Sequence, residues 1–392
     1  MRGRRLAAAA LLCLAVALGV IGCGGHSGHK RVAAGALSIY TSLPFEGPDA
    51  GDAVAIYDGE RLALAQAGGA VDGTPVVLRR LDDAGSDAGV SRALVGVSAR
   101  QAAADPSTTA YIGELTPGSS LPSIRILSGA GILQVSPGDT ATGLAGRTFA
   151  RVVPPDSDEA RAQLAAAHRL GIKSLYLVKD TTRYGRDIAT AILADAPAAG
   201  IAVVDPRGAY LRADTRALVL AIKRSKAGAL FYAGSPGGSV APFWNSVSAA
   251  DPSLRKFASA AISSGTGWAL TTPGARYNTY LSAPGLLPGH GLPRAGSQFE
   301  TDFVAAYGSH ARWASGIFGY VAMSAILEAL HSLGHHAKPP RAKLVYAFRH
   351  FKNLPSALGP YSVLGGQSSF SSYFFTTYDR VGAPTPYFPA SG

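Results

Sequence analysis

Cysteine is almost absent from this chain. Cys13 and Cys23 are the only two in 392 residues. Cys13 falls inside an apolar leader, so no disulfide forms once that leader is gone, and the fold must rest on its core alone. Charge is scarce as well, at 16% of residues, while hydrophobic residues reach 47% and supply the material for cores. Acids are the rarer sign, with 25 Asp and Glu against 36 Lys and Arg. A basic balance draws in acidic solutes or anionic lipid. It does not point to nucleic acid, because Lys and Arg are scattered and no basic run is interleaved with aromatics. Recognised catalytic signatures are missing too: there is no G-x-S-x-G, no G-x-x-x-x-G-K-[ST] and no H-E-x-x-H. His335 and His336 are adjacent and point in different directions, which makes a poor metal pair. No metal and no cofactor is expected.

Long apolar runs are confined to the start. Met1 to Arg5 is basic, Leu6 to Ile21 is apolar except for Gly19, and Val20-Ile21-Gly22-Cys23 closes the run. This is a signal-peptide layout, too short for a stable transmembrane span, and no later stretch is read as a span. The ending resembles a bacterial lipobox, which implies lipidation of Cys23 after removal of residues 1–22. Gly24 to Ala36 is small and polar, and reads as a tether.

What the chain has in quantity is Gly (47) and Pro (25), the mark of many turns between short elements. Its organising stretch is Tyr111 to Thr140. Thr108 to Ile112 reads as a strand, Gly113 to Ser120 as a polar loop, Leu121 to Ser128 as a helix and Ile132 to Val135 as a second strand. Ser136 to Thr140 is a second polar loop. Two polar loops then stand at the carboxyl ends of two strands, where open parallel sheets bind ligands. Hydroxyls, backbone N–H groups and a helix N-terminus there suit a carboxylate or another small anion. Before this unit come a strand at Leu37 to Thr41, a helix at Asp52 to Ala67, a strand at Pro75 to Leu81 and a helix at Asp87 to Ala104. The alternation implies a parallel sheet covered by helices. After Pro154-Pro155 the pattern restarts, with helices at Ser157 to Leu170, Asp187 to Ala199 and Asp214 to Ser225. Strands are expected at Ser174 to Val178, Ile201 to Val204, Ala229 to Ala233 and Lys256 to Ile262. The tail turns to helices at Phe299 to Tyr307, Ile317 to Leu333 and Ala342 to Phe351, and then to Gly/Ser-rich strands.

Several segments, in this order, resemble the branched-chain amino-acid-binding group of ABC-transporter solute-binding proteins. They are LSIYTSLPFEGP, RLALAQAGGAVDGTPVVL, LDDAGSD, YIGELTPGSSLP, GILQVSPGDT, FARVVPPDSDEA, VKDTTRYGRD, ALFYAG and LGPYSV. The resemblance implies an α/β fold of two Rossmann-like lobes with parallel central sheets joined by three hinge crossovers, the type I periplasmic-binding fold. It places lobe 1 at 37–152 plus 286–354 and lobe 2 at 153–285 plus 355–392, with hinges near Pro154, Leu286 and Pro355. It implies a lipid-anchored, extracytoplasmic monomer that performs no chemistry. That protein closes on an amino acid or related carboxylate and delivers it to a membrane permease. A sensing ectodomain and a cleft-serine hydrolase are the alternatives.

The resemblance also assigns residues. Thr116, Ser119 and Ser120 match the first carboxylate-binding loop, with Pro117 where a hydroxyl is usual. Ser119 and Ser120 serve equally well as caps for the next helix. Gly138 and Thr140 match the second loop. Tyr184 matches a cleft tyrosine, and Ser235 stands where another cleft aromatic is common. An acid for the ligand's amino group is expected near Ala261 to Ser263, where none exists. Asp139 and Glu114 are the candidates to replace it. Phe45 is either a loop anchor or an apolar wall.

Overall fold

The computed structural model describes residues 35–387, apart from 86–88, 206, 213, 265–267, 269, 286–291, 309–311, 335–338 and 382. The expectations for the leader, for Cys23 and its tether as far as residue 34, for His335-His336 and for a hinge at Leu286 lie outside the described residues.

The first unit runs β1 (Leu37–Leu43), α1 (Ala50–Gln66), β2 (Ala70–Val71), β3 (Thr74–Asp82), a small hairpin of β4 (Ala84–Gly85) and β5 (Gly89–Val90), α2 (Arg92–Ala104), β6 (Thr108–Ile112), α3 (Leu121–Ala130), β7 (Leu133–Ser136) and β8 (Phe149–Arg151). The strands pair in the order β2-β3-β1-β6-β7-β8. β1 is buried at every position, as a strand covered by helices on both faces must be. The chain leaves β1 for β3 on one side and returns to β6 on the other, both parallel to β1. That reversal opens a crevice at the carboxyl ends of β1 and β6. α2 starts later than the expected Asp87, because Ser91 caps it by accepting from the Leu94 N–H and the residues just before it pair as β4–β5.

The second unit runs α4 (Asp156–Arg169), β9 (Ser174–Lys179), α5 (Arg183–Asp195), β10 (Ala202–Val203), β11 (Ala209–Tyr210), α6 (Arg216–Ser225), β12 (Ala229–Ala233), α7 (Val240–Ala250), β13 (Arg255–Ala258) and β14 (Thr279–Pro284). Its strand order is β10-β9-β12-β13-β14, so the reversal falls between β9 and β12. β13 is shorter than the expected Lys256 to Ile262. The Ser259 N–H bonds to the Tyr232 carbonyl and the Ala260 N–H to the Glu159 carboxylate, and residues Ala260–Ser264 turn into a 3-10 helix.

The chain then returns to the first unit as three helices, Arg294–Tyr307, Trp313–His331 and Arg341–Arg349, and as a hairpin of β15 (Val363–Leu364) and β16 (Gln367–Ser368). It crosses back with β17 (Tyr373–Tyr378), which pairs antiparallel with β14, and β18 (Pro384–Tyr387) pairs antiparallel with β17. The helix Trp313–His331 is long and apolar enough to cross a membrane, contrary to the reading that no later stretch is. However, 67% of its apolar window is buried in the protein, which makes it a core helix. It lies directly on α1. A Cβ at Gly59 would strike the Gly316 carbonyl and one at Gly319 the Ile56 carbonyl, so only glycine permits this approach.

The first core joins β1, β6 and β7 to these helices through Ile39, Ile112, Val135, Phe303, Val321 and Ile326. Ala357, Leu358, Tyr361 and Val363 belong to that core, and the Arg151 N–H bonds to the Gly366 carbonyl at 3.0 Å. The segment after Pro355 therefore packs on the first sheet, not on the second, until β17 begins. The second sheet carries one core on each face, one around Leu177, Ile188, Phe231 and Phe257 and the other around Val178, Tyr232, Phe243 and Trp244.

Candidate ligand-binding cleft

The loops at the carboxyl ends of both sheets face a cavity of about 710 Å³. Thr116, Pro117, Gly138 and Thr140 line it from the first sheet, and Thr182, Tyr184, Ser235 and Ala261 from the second. Ile56, Val153, Leu281, Phe318 and Phe374 give it apolar walls. A second hollow of about 580 Å³ lies by Pro106, Pro340 and Arg341. It gathers no comparable polar set, and its arginine donates to the carbonyls of Ala130 and Thr108.

The two candidate acids of the first sheet do not line the cavity. Asp139 is fully buried. Its Oδ1 accepts from the Gly118 N–H at 2.6 Å and the Ala141 N–H at 3.2 Å, and its Oδ2 from the Ser120 N–H at 2.8 Å. Burial pushes its pKa up, and the amides of Gly118 and Ser120 pull it back. Asp139 is thus the brace that ties the second loop to the first, and it already occupies N–H groups at the start of α3. Glu114 is also fully buried. Its carboxyl accepts from the Tyr111 hydroxyl at 2.7 Å, the Ser123 hydroxyl at 2.7 Å and Gln134 Nε2 at 3.1 Å. Desolvation raises its pKa to about 8, a neutral acid inside the core near neutrality. Neither acid is placed to meet a ligand amine.

Ser119 and Ser120 are buried behind the cavity wall. The Ser119 hydroxyl donates to the Thr116 carbonyl and the Ser120 hydroxyl accepts from the Glu114 N–H at 3.4 Å. Neither hydroxyl caps α3. Phe45 is a loop anchor: it packs edge-on against Tyr57 at 5.7 Å, and the Arg80 guanidinium sits 3.7 Å over its ring. Gly138 lies so close over Leu115 that any Cβ would strike the Leu115 carbonyl. Glycine there lets the two first-sheet loops touch.

On the second sheet, α5 starts at Arg183 with Thr182 as cap, its hydroxyl accepting from the Gly185 N–H at 3.0 Å. That turn presents Tyr184 to the cavity. The Tyr184 hydroxyl donates to Glu159 Oε2 at 2.9 Å and accepts from the Ala261 N–H at 3.3 Å. The Ser235 N–H bonds to Asp180 Oδ2 at 2.7 Å, which fixes the loop after β12.

Sequence reasoning missed Glu159. It lies in the acidic first turn of α4 with Asp156 and Asp158, which reads as a solvated complement to the helix dipole. In the fold it lines the cavity yet is 1% exposed. Its Oε1 accepts from the Ala260 N–H at 2.7 Å, the Ser282 hydroxyl at 2.6 Å and Gln163 Nε2 at 3.2 Å. A carboxylate from another element thus stands beside Ala260, next to the stretch Ala261 to Ser263 that carries no acid. Desolvation raises its pKa, and the bonds from Ser282, Ala260 and Tyr184 oppose the rise. Arg183 and Arg312 were missed too. Arg312 lines the cavity and pairs with Asp52 at 3.0 Å, and the Ser315 hydroxyl donates to the same oxygen at 2.8 Å.

Comparison with known proteins agrees with this architecture. A leucine-binding protein of Thermotoga maritima has 17% identity and a TM-score of 0.74, covering 90% of this chain and 98% of its own. A substrate-binding protein of Desulfitobacterium hafniense in complex with Leu has 18% identity and a TM-score of 0.75, covering 90% and 99%. A solute-binding protein of R. palustris in complex with benzoate has 16% identity and a TM-score of 0.71, covering 90% and 95%. These likenesses carry the fold: two α/β lobes with mostly parallel sheets and three crossovers. In sequence, a Leu/Ile/Val-binding protein of Rhizobium johnstonii is 29% identical over 205 residues, or 50% of this chain. The match spans about half of that relative, 54% of its length. Residues 41–378 match the periplasmic binding protein family. The chain belongs to that family.

Proposed function

We propose that the protein captures a small amino-acid-like carboxylate outside the cytoplasm and delivers it to an ABC permease. The observation that carries this reading is the cavity of about 710 Å³ walled by the loops of both sheets. A ligand that touches both walls binds best when they approach, so binding shifts an open–closed equilibrium. The first-sheet loops bring the hydroxyl-bearing Thr116 and Thr140 and the Gly138 backbone to the wall, which suits a carboxylate. The lobes are taken as the two sheets with their covering helices, the first of them also holding the segment from Ala357 to Val363. Three serines line the cavity: Ser282 donates to Glu159 and Ser315 to Asp52, and no histidine among the lining residues stands by to activate Ser235. Those protons are committed to carboxylates, which favours binding over a serine hydrolase. Lipidation at Cys23 and a monomeric state complete the proposal.

Thermal unfolding with the standard amino acids and small organic acids tests it. A ligand at ~100 times its dissociation constant stabilises the fold by about 2.7 kcal/mol. The expected outcome is a clear upward shift with at least one such carboxylate. No shift with any of them ends this reading.

A further inference from the structure

We propose that Asp156 couples closure of the cleft to the uptake of one proton, so that the protein holds its ligand more tightly as its surroundings turn acidic. This rests on the solute-binding reading above and adds a regulation of the same site.

Three observations carry the inference. The first is an unsatisfied acid. Asp156 opens α4 and is fully buried, and neither of its carboxyl oxygens has a hydrogen-bond partner among the described residues. An ionised carboxylate in that setting has lost its water and gained nothing in return, which is strongly unfavourable. The neutral acid is the form that fits. Asp139, Glu114 and Glu159 are buried as well, but each accepts at least three hydrogen bonds. The second is place. Asp156 follows Pro154-Pro155, where the chain crosses from β8 of the first sheet to α4 of the second unit. Its N–H bonds at 2.8 Å to the carbonyl of Thr140, in a first-sheet loop that lines the cavity. The preceding Pro155 carbonyl lies 3.5 Å from the hydroxyl of Tyr373, on β17 of the second sheet. The carboxyl is therefore enclosed by elements of both sheets. Asp139, Arg151 and the Thr140 hydroxyl face it from the first, and Glu159 on α4, Tyr184 on α5 and Tyr373 on β17 face it from the second. Asp158 turns instead to Arg161.

The third is charge. Arg151 is the cation that faces Asp156, and it donates to the carbonyls of Asp139 and Ala141 and to Gln367, not to the Asp156 carboxyl. Against that one cation stand the two acids Asp139 and Glu159. Burial first, and then these two acids, push the pKa of Asp156 well above the ordinary carboxylate range, while the nearby Thr140 hydroxyl and Arg151 oppose the rise. Parting the two sheets draws Thr140, Asp139 and Arg151 away from Glu159, Tyr184 and Tyr373 and lets water in between them. A hydrated Asp156 ionises in the ordinary range, at about pH 4. Closure on a ligand expels that water and restores the neutral form, so the closed cleft binds a proton that the open one has released. The contribution of Asp156 to closure is then complete below its open-state pKa and is lost as pH rises through its closed-state pKa. Inside that window each pH unit weakens ligand binding about tenfold.

Calorimetric titration of the full chain with the standard L-amino acids tests this, between about pH 5 and pH 8 and in pairs of buffers that differ in ionisation enthalpy. The expected result is an affinity that falls at least ~10-fold across that range, with uptake of about one proton per ligand bound. Asp156→Asn fixes the neutral form. It should bind about as tightly as the wild type at the acidic end, take up no proton and lose the slope. Asp156→Ser is the second neutral variant, with the same expected outcome, should the first not purify. Glu114→Gln, altered inside the first core and away from the cavity wall, should keep both the uptake and the slope. A merely structural role for Asp156 would weaken binding by the same factor at every pH and leave the slope as it was. The proposal is overturned if the wild-type affinity stays within threefold across the range. Proton uptake that persists in Asp156→Asn or Asp156→Ser also overturns it. In those cases the solute-binding reading stands. If no amino acid binds at any pH, that reading falls and the proposal falls with it.

Discussion

Arg183, in the first turn of α5, donates through Nη2 to the carbonyl of Thr142 at 3.1 Å. Its Cδ also lies 3.2 Å from where a Cβ would sit on Gly118. One second-sheet side chain thus touches both first-sheet loops that line the cavity. Its Nε is braced by Asp187 at 3.2 Å. Arg183→Ala should favour the open form. The bond is partly exposed, so the expected loss is about 0.5–1 kcal/mol, or ~2–5-fold in ligand affinity. Stopped-flow binding should place most of it in faster release. Unchanged release would show that this contact does not hold the closed form.

Asp139→Ala removes the acceptor shared by the amides of Gly118, Ser120 and Ala141. Those N–H groups would be left without their partner inside the protein. Urea unfolding should show a loss of about 2–4 kcal/mol, and ligand affinity should fall with it because both loops lose their brace. A variant as stable as the wild type would mean that the brace is dispensable.

Thr140→Val keeps the shape and the carbonyl that accepts the Asp156 N–H, and it removes only the hydroxyl. Affinity for a carboxylate ligand should fall by about 1 kcal/mol, roughly fivefold, with little change in the unliganded melting temperature. Equal affinity by calorimetry would remove the Thr140 hydroxyl from the site.

Stability should depend on pH through buried acids. Glu114 is raised to about 8 and Asp83 to about 7, both chiefly by desolvation. A carboxyl whose pKa is higher in the folded state binds more protons there than in the unfolded chain. Its contribution is therefore complete below the unfolded pKa and is lost as pH rises through the folded value. The melting temperature should fall between pH 5 and pH 8. Glu114→Gln should flatten that slope by an amount on the order of a few kcal/mol across the window. A profile in Glu114→Gln that overlays the wild type would rule out Glu114 as a source of the slope.

Cys23→Ala tests the lipid anchor. The wild type should sediment with membranes and the variant should appear in the soluble exported fraction. Identical partitioning of the two would refute lipidation at Cys23.

Much of the fold was legible because its signals are local. Alternation of short apolar runs with Gly- and Pro-bounded helices announced the parallel sheets. The restart after Pro155 announced the second one, and the polar loops at Thr116 and Thr140 stand on the cavity wall. The late crossover was less legible. Residues 357–366 pack on the first sheet through contacts such as that of Arg151 with Gly366, and no local pattern encodes a partner about two hundred residues away.

The sequence by itself determined the architecture: periodicity set the elements and their order fixed the sheets and the carboxyl edges whose loops wall the cavity. The family resemblance pointed to Thr140 and Tyr184, and both line the cavity at those edges, Thr140 in the loop after β7 and Tyr184 in the first turn of α5. Tertiary structure alone decided which carboxylate serves which purpose. Asp139, Glu114 and Glu159 are each one acid in a polar stretch, and sequence offers no means of ranking them. Burial against three amide N–H groups made the first a brace. Enclosure by Tyr111, Ser123 and Gln134 made the second a neutral core acid. Only the packing of α4 beneath β13 and β14 carried the third into the cavity wall. The charge state of a carboxyl follows from what surrounds it in space, and those surroundings come from segments far apart in the chain.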